Sequence, residues 1–134
     1  MYPIVRDNDR CPCGSGDIFS GCCAPIVAGE TSAPTAVQLM RSRFTAFALG
    51  NTEHLLRTWH SSTRPGTLTL DAGTFWTRLD IFGVTGGGPF DDEGTVHFMA
   101  QYRSANGRGR QEENSRFVRE NGRWYYVDGE APAS

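Results

Sequence analysis

Lysine is absent from this sequence: all 13 basic residues among its 134 are arginine. That excludes Schiff-base chemistry on a lysine amine and any phosphate loop that relies on one. Cysteine is missing beyond Cys23, and the four present fall between Cys11 and Cys23. So tight a cluster cannot cross-link the rest of the chain. No apolar run approaches the roughly 18 to 20 residues of a membrane helix, and the first ten residues lack the basic-then-apolar order of an export signal, so a cytoplasmic location is expected. Basic charge is not in excess: 13 Lys+Arg against 15 Asp+Glu gives −2, which is no electrostatic footprint for general nucleic-acid binding. What is present suffices for one ordered domain, with 38% hydrophobic and 11% aromatic residues.

The cysteines read Cys11-Pro-Cys13, then eight residues, then Cys22-Cys23. Four thiolates converging from one short loop suit tetrahedral Zn²⁺, and filling all four positions makes the site structural, without an open place for water. Gly14-Ser15-Gly16 lets the backbone turn and aim amides at the Cys11 and Cys13 sulfurs, while Phe19 supplies an apolar plug. Cys22 and Cys23 are adjacent, so they share an ion only where the backbone curves, as at the first turn of a short helix. Two disulfides, redox chemistry, or reduced cysteines that hold no ligand are the competing readings, and dense disulfides belong to exported chains. A segment this small has no core of its own, so the metal supplies its folding energy. Metal removal is expected to melt this knuckle and leave the remainder folded.

Ala24 to Pro34 reads as a small-residue linker. Thr35-Ala36-Val37-Gln38 has the form of a capping box, in which hydroxyl and amide satisfy orphan N–H groups, and Gly50 stops the helix near Leu49. Val37, Met40, Phe44 and Phe47 form the apolar stripe, leaving Gln38, Arg41 and Thr45 toward solvent. A second helix, capped by Asn51 or Thr52, buries Leu55, Leu56 and Trp59 before Ser61, Ser62 and Pro65-Gly66 break it. Strands are then expected over Phe75 to Val84, Thr95 to Arg103, Gln111 to Arg119 and Arg123 to Asp128. Asn121-Gly122 marks a type I′ hairpin between the last two.

Polar tips in apolar contexts nominate Trp59, His60, Trp76, Arg78, Asp80, Tyr102, Glu113, Ser115 and Tyr126 as cavity residues. Strand parity puts Trp76, Arg78 and Asp80 on one face, and Glu113 with Ser115 and Phe117 on one face. The bland reading makes Trp59 and Tyr126 core, His60 a helix cap and Glu113 the partner of Arg116 or Arg78. His97 has no motif around it and reads as a surface residue. Residues 103 to 123 hold six arginines against three glutamates, a local +3 that would suit RNA or ribosome contact, against the alternative of charges scattered over two strand faces.

Cys11-Pro-Cys13-Gly14-Ser15-Gly16 followed by Cys22-Cys23 resembles the SEC-C zinc motif, named for the C-terminus of the bacterial preprotein translocase ATPase, where it binds zinc and contacts the export chaperone. With Leu39 to Phe44, Thr58-Trp59-His60, Ser115-Arg116-Phe117 and Gly122 to Gly129, nearly the whole chain resembles the YchJ family of bacterial proteins. Where that family usually has a His before its Glu-x-Ser-Arg-Phe stretch, this chain has Glu112. The resemblance implies an α+β protein: a zinc knuckle, residues 1–28, followed by a cone-shaped nuclear transport factor 2-like (cystatin-like) domain, residues 29–134, with a helical hairpin on a curved antiparallel sheet. It implies no established activity.

Two functions follow as expectations. One is an adapter whose zinc knuckle docks on a protein or ribosomal partner. The other is a small-molecule site in the cone. Enzymes similar to this fold, such as ketosteroid isomerase and scytalone dehydratase, imply isomerase- or dehydratase-type acid/base work there, with His60, Asp80 or Glu113 as base and Tyr102 or Tyr126 as donor. An apolar sheet face would favour a homodimer.

Overall fold

The computed structural model describes residues 2–131. Its elements are a 3₁₀ turn, Phe19–Gly21, helices α1 (Ala24–Val27), α2 (Ala36–Leu49) and α3 (Thr52–Arg57), and strands β1 (Phe75–Gly86), β2 (Glu93–Ser104), β3 (Gly107–Glu120) and β4 (Arg123–Glu130). The last three residues of the expected 29–134 domain lie outside the described residues.

Thr35 caps α2 as its sequence predicts, its hydroxyl accepting from the Gln38 amide at 3.2 Å. The box is only half built, however, because the Gln38 side chain accepts from the Thr35 hydroxyl at 2.9 Å instead of reaching back to the Thr35 amide. Gly50, at φ 74°, ends α2 in the left-handed conformation open to glycine at little cost. Asn51 caps α3, accepting from the His54 amide at 3.0 Å. This helix is shorter than expected: it stops at Arg57, and Trp59 instead bridges Tyr126 of β4 in extended backbone. The Trp59 segment is captured by the sheet edge, with the His60 amide donating to the Tyr126 carbonyl at 2.7 Å. In the stretch expected to be a linker, Pro25 opens the single turn α1, which buries Val27.

The four strands form one antiparallel meander in the order β1-β2-β3-β4. β2 and β3 join through Ala105-Asn106, and β3 and β4 through Asn121-Gly122, whose φ values of 53° and 78° are those of a type I′ turn. α2 lies across β1, β2 and β4. Leu39, Met40 and Phe44 from the helix meet Leu79, Val96, Phe98, Ala100, Phe117 and Trp124 from the sheet. Each such side chain withdrawn from water stabilises the fold by about 1.5 to 3 kcal/mol.

Candidate metal centre and sheet cavity

The knuckle is a two-stranded loop, closed where the Cys11 amide donates to the Asp17 carbonyl at 2.9 Å and the Phe19 amide to the Asp9 carbonyl at 2.8 Å. Gly14 and Gly16, at φ 78° and 94°, take the backbone around the Cys13 turn. Cys23 is the N-cap of α1, so the curvature required for two adjacent ligands is supplied by a helix start. All four sulfurs lie within 4.8 Å of one another. The Cys13–Cys22 separation is 3.6 Å and Cys22–Cys23 is 3.9 Å. A tetrahedron with metal–sulfur bonds near 2.3 Å has edges of about 3.8 Å. The set therefore fits one metal ion.

Electrostatics point the same way. Cys13 is held well below the usual thiol range because Cys11 and Cys23 both donate to its sulfur. Burial pushes Cys22 up to about 11, and Cys23 is raised by holding its proton in the bonds with Cys11 and Cys13. Cys13 gives up its proton readily while Cys22 and Cys23 resist losing theirs, a repulsion that a divalent cation removes.

The face of α2 expected to meet solvent is where the knuckle docks. Thr45 is 0% exposed, with its hydroxyl 3.8 Å from the Cys11 sulfur. Arg41 donates to the Cys13 carbonyl at 2.9 Å. Cys11, Cys13 and Cys23 consequently belong to the same buried cluster as Leu39, Phe44 and Leu79.

On the opposite flank of α2 lies a cavity of about 220 Å³ bounded by Phe44, Phe47, Trp76 and Phe98 on its apolar side and by Arg43, Trp59, Glu113, Ser115 and Tyr126 on its polar side. Arg43 is the centre of the polar side and is 3% exposed. Its carbon Cζ sits 4.5 Å from the Tyr126 ring centre and 5.1 Å from that of Trp59, two faces that stabilise a cation. Burial pulls its guanidinium down to about 10. Burial raises the Glu113 carboxyl, although the Ser115 hydroxyl donates to it at 3.3 Å, and lifts the Tyr126 phenol to about 12. Glu113 lies over Gly129, where a Cβ would collide with its carboxyl group.

The family model described as YchJ, middle NTF2-like domain, matches residues 35–129. The chain belongs to the YchJ family. Among relatives of this YchJ-family chain, a UPF0225 protein of Corynebacterium glutamicum is 54% identical over 121 residues, spanning 90% of this chain and 96% of its own. One from Streptomyces coelicolor is 48% identical over 120 residues, spanning 90% and 94%. The solution structure of a SEC-C motif containing protein from Rhodopseudomonas palustris superposes with a TM-score of 0.80 at 31% identity, over 92% of this chain and 98% of that one. A crystal structure of a SEC-C motif containing protein from Psychrobacter arcticus, 24% identical, shares the fold at a TM-score of 0.75 over 96% and 85%.

Of the residues nominated from sequence, this YchJ-family structure gathers Trp59, Trp76, Glu113, Ser115 and Tyr126 around the cavity. His60, Asp80 and Tyr102 are not among its lining. His60 bonds Ser62 at 2.6 Å and Glu120 at 2.8 Å on the surface. Asp80 pairs with Arg78 at 3.1 Å, and both leave the cavity face because a bulge between Trp76 and Arg78 breaks strand parity. Tyr102 packs edge-on against Trp76 and over Gly109. His97 bonds Glu112 at 2.6 Å on the other sheet face. The arginines of residues 103 to 123 are partly neutralised: Arg116 grips Asp128 with two bonds of 2.7 Å, and Arg119 reaches Asp92 at 3.6 Å.

Sequence reasoning missed Arg43 and His54. Arg43 stands three residues from Met40 and four from Phe47, in phase with the apolar stripe, and that spacing was its signal. His54 is 1% exposed, bonded through Nε2 to Ser42 at 2.9 Å and through Nδ1 to Arg57 at 3.1 Å. The pair is not a base and nucleophile. Arg57 can only donate, so Nδ1 accepts; Nε2–H therefore donates to Ser42, whose hydroxyl donates to the Leu39 carbonyl at 2.8 Å. The direction of the chain marks it as structural.

Proposed function

We propose that this is a cytoplasmic zinc protein in which the metal staples the knuckle to α2, and in which the cavity behind that helix binds a small, largely apolar ligand. Zinc is the ion that a closed four-thiolate set with tetrahedral edges selects, and a reducing compartment keeps such thiols available. The observation that carries the ligand reading is the buried Arg43 at the wall of a space lined by six aromatic side chains. Apolar walls with a few convergent polar groups are the usual make-up of a ligand site. Glu113, with its carboxyl raised by burial, is the candidate for acid/base work in that space.

The test has two parts. Elemental analysis of the purified protein is expected to give one zinc per chain, lost on substituting Cys13→Ser. A fragment screen by NMR on zinc-loaded protein is expected to place its hits at the indole of Trp76 and the amide of Ser115. Hits that leave both unmoved would overturn the ligand reading.

Docking of a protein partner on the knuckle is a second reading, supported by Ile4 and Ile18, which are 90% and 45% exposed on that segment. Capture from host lysate with wild type and with Ile18→Asp tests it better than a cysteine variant, since the cysteines are part of the core. A partner held equally by both proteins would count against it.

A further inference from the structure

The polar wall of the cavity has unspent donors. Arg43 uses Nη1 twice, on the Leu55 carbonyl and the Thr58 hydroxyl, each at 2.8 Å. Among the described residues its Nη2 and Nε make no hydrogen bond, and no carboxylate stands within ion-pair distance of it. Glu113, the carboxylate on the same wall, is engaged with Ser115. The Trp59 indole N–H is buried with no partner, and its ring is stacked on the same guanidinium. The Glu113 charge acts on Arg43 through space but makes no direct ion pair with it, so the orphan N–H and the two unspent guanidinium nitrogens are costly unless something fills the gap, because they lose their hydration on folding. The shape of the missing group follows: a compact anion that accepts from both donors.

The rest of the cavity defines what the anion is attached to. Phe44, Phe47, Trp76 and Phe98 line the same space, with the Phe44 and Phe47 rings packed on Trp76. A volume of about 220 Å³ corresponds to about seven waters at liquid density, below the range of drug-sized sites.

Resting on the ligand reading above, we propose that the cavity is a receptor for a small aromatic monocarboxylate, whose carboxylate accepts from the Arg43 guanidinium and the Trp59 indole N–H while its ring lies against Phe44, Phe47 and Trp76. Arginine supplies the planar fork that a carboxylate matches, and the apolar wall desolvates the ring.

The test titrates zinc-loaded protein with benzoate and with its neutral isostere benzamide, following the Trp59 indole N–H by NMR. Benzoate is expected to move that resonance and to bind at least about tenfold more tightly than benzamide, as a charge-assisted hydrogen bond predicts. Arg43→Met is expected to abolish the preference. Because Arg43 also ties α3 to α2, Trp59→Phe is the second variant: it keeps a ring and removes the N–H, and it is expected to weaken benzoate several-fold and benzamide, whose carbonyl is the weaker acceptor, by less. Trp59→Phe is followed through the Trp76 indole. Benzamide binding as tightly as benzoate would overturn the anion inference and leave the cavity a ligand site. Benzoate shifts confined to the exposed arginines of β3 would overturn it too. If neither probe touches the cavity and the fragment screen is also silent there, both readings fall.

Discussion

At the scale of single residues, two positions carry consequences that burial alone decides. His54 is pulled down from 6.5 to about 4, chiefly by burial and then by the charges of Arg57 and Arg43. The folded protein keeps it neutral, whereas the unfolded chain takes up a proton below about 6.5. Its neutral form therefore costs nothing above that value, and stability is lost as the pH falls toward 4. Near pH 5 the loss relative to pH 7 is about 2 kcal/mol. Urea midpoints at both pH values should show it, and His54→Gln should flatten that part of the slope. Gly129 faces Ser115 across the β3–β4 pair and leaves room for the Glu113 carboxyl. Gly129→Ala is expected to displace Glu113 and destabilise by about 1 to 3 kcal/mol, as overpacking does. Chemical denaturation measures the cost, and an unchanged Glu113 titration by NMR would show that the side chain had not moved.

Among the elements, α2 matters most because each of its flanks has a separate task. Thr45 and Arg41 hold the knuckle, while Arg43, Phe44 and Phe47 wall the cavity. This changes what metal removal should do. Cysteines that share a core with Leu39 and Leu79 cannot loosen without exposing that core. Chelation is thus expected to lower the melting temperature of the whole protein, by an amount on the order of 10 °C, in a single transition. Scanning calorimetry with and without chelator checks this, and an unmoved transition would mean that the knuckle melts alone. The caps of α2 and α3 were legible in Thr35, Gly50 and Asn51, since caps are local chemistry. The end of α3 was not, because Trp59 is drawn off by pairing with Tyr126, sixty-seven residues away. The early start of β3 had a signal in Asn106-Gly107, a turn-forming pair hidden among arginines.

For the molecule as a whole, the parts that local chemistry governs could be read from the chain alone. Four cysteines in thirteen residues supply a set that could hold one metal ion, and Asn121-Gly122 defines a hairpin because few other residues tolerate its two positive φ angles. Helices followed by alternating strands fix the α+β class. The placement of the knuckle on α2 was decided only in three dimensions, since Arg41 and Thr45 look like solvent residues until a second surface covers them. The same holds for the cavity. Bulges at Trp76/Arg78 and Arg116/Phe117 shift strand parity, removing Asp80 from the site and setting Tyr126 opposite Phe117. Sequence determined which groups are available to hold a metal and to line a cavity. Tertiary structure decided which of them meet, because bulges and long-range pairing act on side-chain direction through contacts that no local pattern encodes.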